Sequence, residues 1–312
     1  MKIAVFGTGA VGGYFGGRLA QSGEEVVFIA RGKHLKAMKD NGLKIDSISG
    51  DFIVKPVPVT DNPEEVGIVD MVLVGVKAWQ VSDAAAAMGP MIGPQTFVLP
   101  LQNGVEAASR LAAVLGQEHV LGGLCGLFSY IVEPGHICHV GTDPFIRFGE
   151  LDNRLSDRVE RLRKAFERTS GISVTIPSNI HVALWQKFVF VTAFSGIGAV
   201  TRSPVGIFRS LPGSRQMLEQ TIFEIYNVAR GYGIDLPENV VGKTMDFFDA
   251  LPSNGTASMQ RDVMDGKPSE LETQNGAVVR LGKEVKVETP VNTFIYNSLL
   301  PMETRARGQI SF

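Results

Sequence analysis

From the amino terminus to about residue 177, short apolar runs rich in β-branched residues alternate with longer stretches whose apolar positions recur at helical spacing. A run of four to six apolar residues between turn signals suits a buried strand, and a three-to-four repeat suits a helix. Regular exchange between the two is the pattern of parallel βαβ units. It predicts strands over residues 3–6, 26–30, 71–76, 96–99 and 119–121, with helices over 11–21, 82–88 and 105–115. Between residues 124 and 149 the pattern becomes alternating, broken by Pro134-Gly135 and Asp143-Pro144, which predicts antiparallel strands extending the sheet. A helix over 154–169 and a strand over 172–176 complete this half.

Beyond Pro177 and Ser178 the strand signal fades. Leu218, Ile222, Ile225 and Ala229 fall on one helix face, and Pro237 and Pro290 stand where first helical turns would begin, the latter behind a Thr289 cap. The apolar run 188–201, between Lys187 and Arg202, is shorter than the roughly 20 residues a membrane span needs and reads as a buried helix. The expected fold is therefore α/β. A Rossmann-type doubly wound sheet with an antiparallel extension occupies residues 1–177, and an all-helical C-terminal domain for substrate binding or dimerisation occupies 178–312.

Composition agrees with two folded domains: 312 residues, of which 44% are hydrophobic and 20% charged, supply ample core. Thirty basic residues against 32 acidic ones leave a net charge of -2, which offers no attraction to nucleic acid or to an anionic membrane. Two cysteines cannot staple a scaffold, and no basic segment leads into a long apolar stretch with a cleavage site. The expectation is a cytoplasmic chain that starts at Met1. Glycine stands out at 35 residues, where roughly 22 would be usual for this length.

Directly after the first strand, the chain reads Gly7-Thr8-Gly9-Ala10-Val11-Gly12 and opens a helix. In such a GxGxxG turn the first glycine permits the tight bend, the second lets backbone approach a pyrophosphate, and the third lets helix pack on strand. The helix N-terminus then faces the anion. The motif alone is common, and its place in a strand-turn-helix-strand makes it specific. A site for NAD carries an acid at the end of the second strand, whereas this chain has Arg31. Its guanidinium suits a 2′-phosphate, so NADP(H) is the expected cofactor; a solvated arginine at a strand end is the other reading. Lys77, in Lys77-Ala78-Trp79-Gln80, and Asn103-Gly104 end two further strands, where an open α/β sheet places its ligand crevice. Ordinary loop chemistry would explain both equally well.

Lys187 lies in a strongly apolar helix, flanked at helical spacing by Ala183, Leu184, Phe190 and Val191. Its ammonium must either snorkel to water or serve a cleft. Hydride transfer to a carbonyl creates an alkoxide, which needs a cation or hydrogen-bond donor and then a proton, and a lysine supplies both. Glu270, after Lys267-Pro268-Ser269, sits near a predicted helix start, where acids are common for structural reasons alone.

Taken together these segments resemble the ketopantoate reductases, or 2-dehydropantoate 2-reductases. The resemblance covers nearly the whole chain: the glycine turn, Arg31, Lys77-Ala78-Trp79-Gln80, Asn103-Gly104, Trp185-Gln186-Lys187, Ser258-Met259, Glu270-Leu271-Glu272 and Asn275-Gly276 follow in family order. It implies NADPH-dependent reduction of 2-dehydropantoate to (R)-pantoate, on the route to pantothenate and coenzyme A. It implies that Lys187 is the proton-donating lysine and that Glu270 is catalytic and touches cofactor. It places Asn103 near nicotinamide and substrate, Ser258 on the substrate, and Lys77 at the cofactor end of the strand over 71–76.

The chain departs from the family in three places. Asparagines one and two helical turns after the lysine are here Val191 and Ser195, and an asparagine beside a Pro-x-Gly corresponds to Val205 in Pro204-Val205-Gly206. Ser195 keeps a hydroxyl and is expected on the substrate side; a valine cannot hydrogen-bond a substrate. Two alternatives stay open beside 2-dehydropantoate: another 2-keto acid, or a catalytically idle NADPH-binding sensor. A homodimer through the helical domain is compatible with the apolar helix faces, which serve a monomer core equally well. In His136-Ile137-Cys138-His139 a strand would place His136 and Cys138 on one face and His139 on the other, so no metal site is expected.

Overall fold

The computed structural model describes residues 1–310; residues 311–312, the tail of the expected second domain, lie outside the described residues. The chain forms two compact units, residues 1–102 with 106–183, and residues 103–105 with 184 onward.

The first unit runs β1 (Lys2–Phe6), α1 (Ala10–Gln21), β2 (Glu25–Ile29), α2 (Gly32–Asn41), β3 (Leu43–Ser47), β4 (Phe52–Val54), β5 (Val59–Thr60), β6 (Met71–Val74), α3 (Val81–Ala87), β7 (Phe97–Pro100), α4 (Ala107–Leu115), β8 (Leu121–Glu133), β9 (His136–Glu150), α5 (Asp157–Glu167) and β10 (Ser173–Thr175). Five parallel strands form one sheet in the order β5-β2-β1-β6-β7. The four residues of β6 and of β7 are buried, as are Ile3, Ala4, Val5 and Phe6 of β1, because both faces of a parallel sheet are covered. The strand order reverses beside β1, so the loops after β1 and β6 diverge and open a crevice at the carboxyl edge.

The antiparallel pair β8-β9 is present as a hairpin turning at Pro134-Gly135, and it belongs to a second sheet of order β10-β9-β3-β4 with β8 on β9. Its link to the parallel sheet is one isolated parallel bridge, Val98 to Val120, instead of a continuous extension. The partner that captures β9 is β3, in parallel register from Lys44 opposite His136 to Ser47 opposite His139. Residues 117–119 form a single tight turn, so the strand expected over 119–121 starts at Leu121.

Helix α1 lies between the two sheets, and its glycines set the spacing. A Cβ on Gly16 would lie 2.5 Å from Val5, on the first sheet, and one on Gly17 would lie 2.7 Å from Ile45, on the second. Gly12 and Gly13 are likewise blocked, by the Gly7 carbonyl and by Ile137. Part of the glycine excess is thus a packing requirement of one helix held by backbone-to-side-chain contact on both flanks.

Helix α6 (Ile180–Thr201) starts in the first unit and runs into the second, which continues with α7 (Val205–Phe208), α8 (Pro212–Gly231), α9 (Val240–Ala250), α10 (Ser258–Met264), α11 (Asn275–Glu284) and α12 (Pro290–Ala306). Among the described residues α6 is the one helix long and apolar enough to cross a membrane, yet 67% of its apolar window is buried inside the protein, as for a core helix. Leu218, Ile222, Ile225 and Ala229 are fully buried on α8. Pro290 occupies the first turn of α12, but Thr289 does not cap it: its hydroxyl lies 3.4 Å from that of Thr293. The Glu224 carboxylate of α8 takes the N–H groups of Val291 and Asn292 instead, each at 2.9 Å, so a charged acceptor replaces a neutral cap. Pro237 precedes the first turn of α9, and its carbonyl accepts from Val240 N–H.

Candidate active site

In the first unit the turn after β1 has the geometry of an anion cradle. Gly7 takes φ +94°, and a Cβ there would lie 2.6 Å from Val76 Cγ1 and 2.7 Å from Val76 N, so both conformation and space demand glycine. Thr8 is a pin: its N–H and its hydroxyl both donate to the Ile29 carbonyl at 3.0 Å, tying the turn to the end of β2. The first helical hydrogen bond of α1 runs from Gly13 N–H to Gly9 O at 2.8 Å, which leaves the N–H groups of Ala10, Val11 and Gly12 ahead of the ladder. No side chain caps this end and no acid lies in the first turn. At Gly9 a Cβ would meet only the Gly75 carbonyl, at 3.8 Å. The protein itself leaves room there, so the space above Gly9 is available to a bound group. A dinucleotide pyrophosphate fits these donors.

Gly75, which sequence reasoning missed, completes the cradle. A Cβ at Gly75 would lie 2.7 Å from Gly7 O and 2.8 Å from Gly12 Cα, so this strand end must be glycine for α1 to approach. The available signal was a glycine closing the apolar strand β6. Gln102 was missed too: its buried amide donates to Val74 O at 2.8 Å and Val76 O at 3.0 Å, fixing the chain that leads into Lys77. Lys77 is exposed, with its ammonium 5.7 Å from the Trp79 ring.

Arg31 is the residue preceding the first turn of α2, exposed, and it makes no ion pair among the described residues. Its fork is free to meet an anion. Three residues on, His34 Nδ1 accepts from Gly135 N–H at 3.0 Å, which joins α2 to the β8-β9 turn. Burial pushes the His34 pKa below the ordinary histidine value, against a weaker opposing pull from the Thr8 backbone, so the ring is held neutral. On β9, His136 Nε2 meets Asp46 at 2.7 Å, while His139 Nδ1 meets Ser47 Oγ at 2.8 Å and its Nε2 meets the Thr142 carbonyl at 3.0 Å. These histidines are engaged in structural hydrogen bonds.

In the second unit Asn103 and Glu270, 167 positions apart, come together: Asn103 Nδ2 donates to Glu270 Oε2 at 3.1 Å. Gln274 Nε2 donates to the same oxygen at 3.2 Å, and Glu270 is 6% exposed. Gly104 takes φ +108°, and a Cβ there would lie 3.0 Å from Thr273 O, so the Asn-Gly turn docks closely on the Glu270 loop. Lys187 is half-buried on α6; Val191 follows one turn later and is also half-buried. Ser195, two turns on, is fully buried, and neither its hydroxyl nor that of Thr192 has a protein partner. Asn275, at the start of α11, packs on Gly196, where a Cβ would lie 2.7 Å from its Nδ2. Ser258 is half-buried in the first turn of α10.

Val205 is fully buried, and its N–H donates to Gly255 O at 3.0 Å. A Cβ at Gly255 would touch Val205 Cγ1 at 3.4 Å and Phe194 Cζ at 3.9 Å, so the loop leading to Ser258 rests on an apolar wall. Phe194 in turn packs with Phe190, Phe208 and Phe248, at ring separations of 5.6, 6.3 and 5.8 Å. At the position where the resemblance led to the expectation of an asparagine, this chain presents valine backed by aromatics.

The sequence matches the family model of ketopantoate reductase PanE/ApbA over residues 3–153 and that of its C-terminal region over residues 179–303. An uncharacterized oxidoreductase, YkpB, of Bacillus subtilis (strain 168) is 29% identical over 301 residues, spanning 96% of this chain and 98% of its own. A 2-dehydropantoate 2-reductase of Nostoc sp. is 29% identical over 316 residues, spanning 99% of this chain and 98% of its own. The crystal structure of a PanE/ApbA family ketopantoate reductase from Ralstonia eutropha JMP134 superposes with a TM-score of 0.90 at 31% identity, covering 98% of this chain and 100% of that one. Agreement of this extent across both units makes the chain a member of the ketopantoate reductase family of oxidoreductases.

Proposed function

We propose that this protein uses NADPH to reduce a 2-keto acid to a 2-hydroxy acid, with 2-dehydropantoate and (R)-pantoate as the pair, in pantothenate and coenzyme A biosynthesis in the cytoplasm. Residues 1–177 would serve as the NADP domain and 178–312 as the substrate domain. The observation that carries the reading is the Asn103–Glu270 hydrogen bond, which unites two distant polar residues, the acid buried and the amide half-buried. The N–H groups of Ala10, Val11 and Gly12 would hold the pyrophosphate, and the Arg31 fork and Lys77 would meet the cofactor's phosphate charge. When bound, NADPH supplies the hydride. Lys187 Nζ donates a hydrogen bond to the keto oxygen, stabilises the negative charge that develops there and passes it a proton. Asn103 and Glu270 orient the reacting groups, and the Ser258 hydroxyl holds the acid's polar end; Ser195, expected on the substrate side, is fully buried and lies behind that surface.

The buried wall of Val205 and Phe194 favours a second reading, in which the acid reduced bears an apolar side chain in place of the hydroxyl-bearing one. Steady-state NADPH oxidation with 2-dehydropantoate beside a panel of 2-keto acids decides between them. Lys187→Ala is the control, expected to lower turnover by a factor of roughly 10² to 10⁴ while NADPH binding persists. Preference for 2-dehydropantoate supports the first reading and preference for an alkyl or aryl keto acid the second. No turnover with tight NADPH binding would mark the chain as a binding protein, and near-wild-type turnover in the variant would reject the role of Lys187.

A further inference from the structure

Glu270 sits in the irregular segment between α10 and α11, where no helical ladder or strand pairing sets the position of a side chain. It is nevertheless restrained from both sides. After it, Thr273 N–H and Gln274 N–H donate to its carbonyl at 3.1 and 3.0 Å, and the Gln274 amide donates to its carboxylate. Before it stands Ser269, fully buried, whose polar groups are all taken up by the last turns of α12. Ser269 N–H donates to Glu303 Oε1 and Oε2 at 3.1 and 3.0 Å, and Ser269 Oγ donates to Glu303 Oε2 at 2.5 Å while accepting Leu271 N–H at 3.3 Å. Arg307 closes the ring: its Nε donates to Glu303 Oε1 at 2.6 Å and its Nη2 to the Ser269 carbonyl at 3.0 Å.

We infer that Glu303 and Arg307, acting through Ser269, are positioning residues that hold the Glu270 carboxylate against Asn103. The inference rests on the proposed role of Glu270 at the active site. The physical argument is one of stiffness. The Glu303 side chain is 6% exposed and accepts hydrogen bonds from Ser269 N–H, Ser269 Oγ and Arg307, two of them short and one charge-paired, so it resists displacement far more than a neutral loop contact would. Its hold is on the residue immediately before Glu270, and one peptide unit transmits little slack. Displacement of a catalytic group by about 1 Å can cost around 100-fold in rate, so loosening this clamp should be visible in function before it is visible in fold.

A clamp that merely secured the end of α12 would lower stability and leave Glu270 indifferent, and a double-mutant cycle separates the two. The full-length chain is prepared as Glu303→Gln, Glu270→Gln and the pair. Each is read by NADPH fluorescence titration, by NADPH oxidation with 2-dehydropantoate, and by thermal melting. Glu303→Gln alone is expected to weaken NADPH affinity or kcat/KM by about 10- to 100-fold. In the Glu270→Gln background the same change should cost less than about twofold, while the melting shift is equal in both backgrounds. Equal functional loss in both backgrounds, or none in the wild-type background, would overturn the positioning role. Glu270→Gln that changes neither NADPH affinity nor turnover would instead overturn the role of Glu270 itself. If Glu303→Gln does not fold, Ser269→Ala, which removes only the linking hydroxyl, carries the same cycle. The titration reads the cycle even where 2-dehydropantoate is not the acid reduced.

Discussion

Alanine placed at Gly9 and at Gly12 separates what the fold requires of the glycine turn from what a ligand requires. At Gly12 the new methyl falls on the Gly7 carbonyl oxygen and 3.2 Å from Val5 Cγ1, so α1 must move off β1. Overpacking of that kind costs about 1–3 kcal/mol, and alanine's helix preference over glycine returns about 1 kcal/mol of it. The net loss, up to about 2 kcal/mol, lowers the melting temperature of a unit this size by up to roughly 8 °C. At Gly9 the backbone is extended, φ −83° and ψ −165°, and the nearest atom to the new methyl is 3.8 Å away. The unliganded protein should therefore change by under ~1 kcal/mol. The methyl does stand where a pyrophosphate approaches, and a 100-fold loss of NADPH affinity, about 2.7 kcal/mol, is expected. At a concentration 100 times the wild-type Kd, NADPH stabilises the wild type by about 2.7 kcal/mol and the Gly9→Ala variant by about 0.4 kcal/mol. Thermal melting with and without NADPH, checked by fluorescence titration, measures both quantities. Gly9→Ala that binds NADPH like the wild type would refute the placement of the pyrophosphate over Gly9. An unliganded melting loss as large as that of Gly12→Ala would refute the packing argument.

If the exposed Arg31 fork serves the 2′-phosphate as proposed, Arg31→Ala should weaken NADPH by about 10-fold or more and leave NADH nearly unchanged; equal losses for the two cofactors in parallel titrations would remove that assignment. His34 is held neutral by burial, so its folded pKa lies below the unfolded value of about 6.5. Between those two values the unfolded chain binds more protons, and stability present above pH ~6.5 is lost as pH falls toward the folded value. Melting curves from pH 7.5 to 5.5 should show this slope, and His34→Gln, which can still accept from Gly135 N–H, should flatten it; an unchanged slope in the variant would assign it to other groups.

The parts of the site that were readable in the sequence are those made by neighbours in the chain. The turn from Gly7 to Gly12 and the helix behind it follow from spacing that any strand-turn-helix must satisfy, and Arg31 follows from where the second strand stops. Gly13 and Gly17 carried no such signal, because their reason lies in Ile137 and Ile45: the alternation over 124–149 announced the strand of Ile137 but not its packing on α1, and nothing local announced the strand of Ile45. Strands β3 and β4 are brief, β3 carries the charges of Lys44 and Asp46, and it becomes a strand by pairing with β9 some ninety positions later. Gln102 and Glu303 are likewise ordinary in sequence; their importance comes from carbonyls and a serine that only folding brings within 3 Å.

What the sequence by itself determined is the class of the fold and the chemistry on offer: hydrophobic period decides strand or helix, glycine spacing decides the turn, and residue type decides which charges can be met or protons given. What only the tertiary structure decided is which polar groups share one site. Asn103 meets Glu270, Ser269 is held by Glu303, and Ser195 is buried two turns beyond Lys187, because helices pack by shape and the backbone hydrogen bonds of each unit must all be satisfied at once. Those constraints act across the whole unit, and no local pattern encodes them.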